Sequence, residues 1–168
     1  MVCPALARTH TYTLKGKTMD CDDFNSIAQA NTGSDLHIKH PASGELLYAD
    51  KAQKKPCIVT VLGQESTTHQ KQLNKRYVAQ KARTKNSKDG AEDITLEQLR
   101  VEMVASATQL IVGFENVHRG KKPATVDDAD WFVGLQLITF DEDEKSFAEQ
   151  VIEHAKKRAN FLGRAPLH

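Results

Sequence analysis

Pro56-Cys57-Ile58-Val59-Thr60-Val61-Leu62-Gly63 is the stretch on which the fold turns. Its six central residues are mostly β-branched or apolar, and proline and glycine close both ends. That composition suits a short strand buried in a small sheet better than a helical turn. A strand needs neighbours, so the flanking sequence is read for its partners.

Upstream, Leu36 and Ile38 alternate with His37 and Lys39, Pro41-Ala-Ser-Gly44 forms a strong turn signal, and Leu46-Leu47-Tyr48 resumes extended structure. The pattern predicts a hairpin, with 57–62 as the third and best-buried strand. The polar, lysine-rich link from Ala49 to Lys55 reads as an exposed loop. Residues 1–18 read as a leader separate from the domain. Met19 opens a more typical start, MDCDDFNSIAQA, and purine-rich codons for Lys15-Gly16-Lys17 would resemble a ribosome-binding site just before it.

Downstream of Gly63 the pattern turns helical. Residues 64–87 contain few breakers and hold Lys71, Lys75, Arg76, Lys81, Arg83 and Lys85 against Glu65 alone. Leu73, Tyr77 and Val78 are the main apolar positions, so the core face is thin and the helix is expected to project. Thr95-Leu-Glu-Gln98 reads as a capping box. The helix it opens places Leu96, Leu99, Met103, Ala107, Leu110 and Phe114 at helical spacing, which predicts the central core helix. Thr125-Val-Asp-Asp128 starts a short helix carrying Trp131, Phe132, Leu135 and Leu137, although Leu135 to Phe140 also fits a strand. The last helix follows the acidic run Asp141 to Glu144, carries Phe147, Val151, Ala155, Ala159 and Leu162 as one stripe, and is expected to stop at Gly163. Acid at its start and Lys156-Lys157-Arg158 near its end both suit the helix dipole. The fold class is therefore α+β, a single domain over 19–168, with a small N-terminal antiparallel sheet (36–62) packed on a helix-dominated part (64–162).

Composition narrows the function. The chain of 168 residues has 27% charged and 39% hydrophobic residues, enough for one core. No apolar run approaches membrane-spanning length and no signal peptide is evident, so no membrane partner is expected. Cys3, Cys21 and Cys57 are odd in number and far apart, which fits neither a disulfide framework nor a metal knuckle and suits a reducing, cytoplasmic compartment. The net charge of +1 hides an asymmetry, with 14 Lys/Arg against 7 Asp/Glu in residues 1–88 and 9 against 15 in residues 89–168. Opposed halves either neutralise each other within one fold or favour head-to-tail contact between copies.

The chemical motifs are weak. Lys15-Gly16-Lys17-Thr18 resembles the tail of a phosphate-binding loop, but position 11 is threonine where glycine is required. His37 and His40, three apart on a strand, point to opposite faces and cannot share an ion without distortion. Neither Asp127-Asp128-Asp130 nor Asp141 to Glu144 has calcium-loop spacing. No catalytic, cofactor-binding or metal residue is assigned, and no enzyme activity is expected. The basic helix 64–87 could neutralise phosphates by counterion release. With Tyr77 as its only aromatic, a solvated or protein-binding face is preferred over nucleic acid.

The order of features resembles the tail assembly chaperones of long-tailed bacteriophages and prophages, over roughly residues 20–163. The pieces that carry the resemblance are the turn Leu36-His-Ile-Lys-His-Pro-Ala-Ser-Gly-Glu45, a strand ending near Gly63, the basic helix, Val112-Gly113-Phe114-Glu115, and the ending Gln150-Val151 to Arg158-Ala-Asn-Phe161-Leu162. The acidic Asp127 to Asp130 before the tryptophan and the Leu135–Phe140 segment depart from the pattern. The resemblance implies a non-enzymatic protein that binds the tape measure protein, keeps it soluble and helps recruit tail tube subunits. It would act in the cytoplasm of the bacterial host and be absent from the mature virion. Self-association into a homo-oligomer is expected from the opposed charges. The alternatives are a nucleic-acid-binding phage accessory protein using helix 64–87, and a structural tail or head-tail connector subunit. A helical client needs an apolar surface, for which the candidates are Trp131, Phe132, Phe147, Val151, Phe161 and Leu162. At helical spacing such residues are more often core, and Phe161-Leu162 is expected to be shared between core and interface.

Overall fold

The computed structural model describes residues 25–86, 95–141 and 144–162. The expected leader and the start at Met19, residues 87–94, the middle of the acidic run and the stop at Gly163 lie outside the described residues. The architecture is α+β, with an antiparallel three-stranded sheet in the order β1-β2-β3: β1 is Ser34–His37, β2 is Ile58–Val61 and β3 is Ile111–Glu115. The helices are α1 (Ser26–Thr32), α2 (Thr67–Asn86), α3 (Leu96–Leu110), α4 (Ala129–Val133) and α5 (Phe147–Lys156). A small ribbon of β4 (His118–Arg119) and β5 (Lys122–Pro123) links the sheet to α4.

As the sequence predicts, β2 is the best-buried strand, with Val59 and Val61 fully buried, and the structure places it at the centre of the sheet. Its partners differ from expectation. Val59 pairs with Leu36 on one side and with Phe114 on the other, and Val61 pairs with Ser34 and Ile111. The expected local hairpin reduces to a single bridge, Lys39 with Leu46, beside which Leu47 N–H donates to Ile38 O at 3.0 Å, while Tyr48 bridges forward to Pro56. Leu46 is exposed, whereas pairing Leu36 with Val59 buries apolar surface across the sheet, so the longer-range ladder wins. The predicted turn does form: the amides of His40 and Gly44 bond to Glu45 O and His40 O at 2.7 and 2.9 Å, and Gly44 takes φ +69°.

The helical half also contributes a strand. The helical pattern of Leu96 to Phe114 is broken at Leu110, and Ile111 to Glu115 turns into β3. Two β-branched residues followed by Gly113 are poor helix formers, and Phe114 satisfies the alternating period of a strand as well as the helical one. The capping box at the start of α3 is present, with Gln98 N–H donating to Thr95 Oγ1 at 3.2 Å and Thr95 N–H to Gln98 Oε1 at 2.8 Å.

Helix α5 packs on α3 and α4, and also against β2, closing the core around Ala107, Val133 and Val151. The short tryptophan helix ends at Val133, so Leu135 and Leu137 fall beyond it and are exposed. The last helix is likewise shorter than its stripe suggests. Lys157 leaves the helical conformation (φ −79°, ψ 99°), a 3-10 turn over Arg158–Asn160 doubles the chain back, and Phe161 rather than Ala159 or Leu162 reaches the core. Asn160 completes the break by donating from Nδ2 to His154 O at 2.9 Å, satisfying a carbonyl in the last turn.

The junction after β2 ties these helices together. The amides of Leu62, Gly63 and Gln64 donate in succession to Leu110 O at 2.7 Å, Ala30 O at 3.0 Å and Ala155 O at 3.0 Å. These are carbonyls in the final turns of α3, α1 and α5, the groups a helix cannot satisfy internally. Gly63 is required by contact: a Cβ there would lie 2.6 Å from Ala30 Cβ and 3.2 Å from Phe161 Cδ1.

Candidate functional site

Of the six residues that chemistry and resemblance nominate for a partner, four are buried in the fold. Phe132 and Phe147 stack with centroids 4.6 Å apart and planes nearly parallel, Phe114 meets Phe132 edge-on at 5.3 Å, and Val151 is fully enclosed beside them. Phe161, 3% exposed, packs edge-on against His154 at 5.9 Å. These four side chains are core in this conformation and offer no free apolar face. Trp131 and Leu162 are half-buried. Arg119 lies over the Trp131 ring at 5.2 Å and pairs with Asp128 at 2.8 Å. The Asp128 carboxyl is held below its ordinary range by the Thr125 amide and by Arg119. Asp128 of the acidic sequence before the tryptophan therefore serves this local network.

The terminal turn is anchored by charge as well as by the Phe161 ring. Glu65, just before α2, accepts from both the Ser26 hydroxyl and the Arg158 guanidinium, and these two bonds lower its pKa in that order. Next to them a cavity of about 270 Å³ is lined by Ala30, Gly63, Ala155 and Phe161.

Exposed apolar surface is found where the sequence expected a projecting arm. Helix α2 turns a polar seam inward: His69 is buried, Gln72 and Arg76 are half-buried, and Arg76 donates to Glu102 O of α3 at 3.2 Å. Its larger apolar residues face solvent, with Tyr77 65% and Val78 66% exposed and Leu73 exposed beside them. Helix α3 adds Leu96, Leu99 and Val101, also exposed. A soluble helix ordinarily buries its apolar stripe and presents its polar face. Helix α2 does the reverse, and it interleaves its apolar residues with exposed Lys71, Lys75 and Lys81. The sequence read Leu73, Tyr77 and Val78 as a thin core face and Leu96 and Leu99 as part of the core stripe of α3, whereas all five are exposed.

Among the described residues, no group of three or more His, Cys, Asp or Glu could hold a metal ion, and no helix is long and apolar enough to cross a membrane. Cys57 donates weakly to Asn116 O at 3.3 Å, and burial pushes its thiol pKa up, away from the reactive thiolate. His37 and His40 are engaged separately. His37 Nε2 contacts Leu47 O at 2.8 Å, while His40 Nδ1 accepts the turn amides of Ala42 and Ser43 at 3.3 and 3.2 Å. No protein-family model, no curated protein and no solved structure matches the chain.

Proposed function

We propose that the protein is a non-enzymatic tail assembly chaperone of a long-tailed bacteriophage or prophage. It would bind the tape measure protein, hold it soluble and help recruit tail tube subunits, acting in the host cytoplasm and leaving before the virion matures. The observation that supports this reading is the inverted helix α2, which leaves Leu73 and Tyr77, one turn apart on the same side, facing solvent as an apolar strip suited to an amphipathic helical client. The basic side chains between them would steer an acidic partner and discriminate against a basic one.

The test is co-expression with the tape measure protein that this reading expects in the same gene cluster. Wild-type protein should raise the client's solubility and co-purify with it, and Leu73→Asp/Tyr77→Asp should abolish both while leaving the thermal midpoint nearly unchanged, as expected for exposed positions. Salt-sensitive binding to random DNA, lost in Lys71→Glu/Lys75→Glu and without effect on the client, would instead favour the nucleic-acid reading. Recovery of this chain from purified particles would favour a structural tail or connector subunit.

A further inference from the structure

Two sequence features that the arm leaves unused meet at one cleft. The turn at His40–Glu45 and helix α5 are far apart in the chain, yet the side chain of Gln150, in the first turn of α5, clamps the backbone of Lys39, just before the turn, from both sides. Lys39 N–H donates to Gln150 Oε1 at 2.9 Å, and Gln150 Nε2 donates to Lys39 O at 3.0 Å. The same Nε2 also donates to Lys145 O at 3.0 Å, which fixes the backbone two residues before α5. Between the turn and α5 lies a cleft of about 350 Å³.

Its charge is one-sided. Among the described residues that line it, Lys39, Lys145 and Lys157 stand against one carboxylate, Glu153. Glu153 is already engaged by Lys145 at 2.7 Å and Lys157 at 3.0 Å, which hold its pKa below the ordinary range. Three cations to one anion leave an excess of two positive charges. The histidines divide their roles. His154 is used internally, because Asn160 Nδ2 donates to its Nδ1 at 3.1 Å and its Nε2 then carries the proton toward Ser34 Oγ at 3.3 Å. His40 accepts the turn amides on Nδ1, so its neutral ring carries the proton on Nε2 and keeps a donor for the cleft.

The cleft also borders the sheet. Leu36 and His37 belong to β1, which is an edge strand, so its outer main-chain groups are not taken by another strand of the sheet. Leu36 and Pro41 place apolar surface between the charged groups, an arrangement suited to a peptide more than to a bare inorganic anion. We propose that this cleft binds an acidic stretch of polypeptide, its carboxylates meeting Lys39, Lys145 and Lys157 and its backbone running beside β1. The proposal does not depend on what the α2–α3 arm binds, since it involves different elements.

Titration of isotope-labelled protein with a hexaglutamate peptide, and separately with inorganic phosphate, followed by NMR, tests it. The peptide should shift amides in 36–44 and 150–160. Lys39→Glu/Lys157→Glu should weaken binding at least about tenfold, while Lys71→Glu/Lys75→Glu on α2 leaves the cleft shifts in place. If charge reversal disturbs the circular dichroism spectrum, Lys39→Gln/Lys157→Gln gives the same readout. Peptide shifts confined to α2, no shift at the cleft, or a cleft occupied more tightly by phosphate than by peptide would each overturn the proposal.

Discussion

Truncating Phe161 to alanine separates a structural from a docking role for the terminal turn. The ring is nearly inaccessible, packs against His154 and would meet a Cβ added at Gly63 at 3.2 Å. Removing it withdraws roughly 150 Å² of apolar surface from burial, and at about 25 cal/mol per Å² this amounts to about 4 kcal/mol. The site borders a cavity of about 270 Å³, so water can fill the space and relieve part of the cost. The expected loss is then about 3 kcal/mol, at the low end for a buried phenylalanine. In urea unfolding followed by far-ultraviolet circular dichroism, a slope of about 2 kcal/mol per molar turns this into a midpoint lowered by about 1.5 M. A midpoint within about 0.3 M of wild type, with client co-purification lost, would refute the core assignment and make Phe161 a docking residue.

Other perturbations address separate parts of the fold. Gly63→Ala brings a methyl against Ala30 and should destabilise by about 2 kcal/mol, seen as a lowered calorimetric midpoint. Glu149→Ala leaves the amides of Phe140 and Ser146 without the carboxylate that now accepts them at 2.9 Å each, at a cost of about 2–3 kcal/mol in chemical denaturation. His69 and His154 both have imidazole pKa values lowered by burial first and by a neighbouring cation second, Arg76 and Lys157 respectively. The fold holds them neutral, so their stabilisation is complete above the ordinary value of 6.5 and is lost as pH falls below it through the folded values. Unfolding midpoints measured from pH 7.5 down to 5 should fall, and His69→Gln/His154→Gln should flatten that dependence.

What the sequence made legible is local. The buried strand at 57–62, the turn at Pro41–Gly44 and the capping box at Thr95 each depend on residues within a few positions of one another, and each is present in the structure. Pairing is another matter. The alternation that marks Leu36 and Val59 as strand residues carries no information on which strand lies beside which, so the local hairpin was expected where the ladder to β2 formed. Strand β3 was hidden because Phe114 fits two periods at once. The arm eluded the pattern for a different reason. Apolar spacing identifies a stripe without saying whether it faces inward, and the seam of α2 is held by a polar contact, Arg76 to Glu102 O, that periodicity does not register. The cleft at Gln150 depends on a contact across 111 positions, beyond the reach of any motif.

The junction after β2 gives the molecule three built-in clocks. Leu62, Gly63 and Gln64 are neighbours in the chain, yet their amide protons are held by α3, α1 and α5 respectively. Each proton exchanges with solvent when its own helix end lets go, so three adjacent resonances time the release of three different helices. If they exchange at one rate, the helices detach as a unit; if they exchange in sequence, the order of the rates is the order of opening.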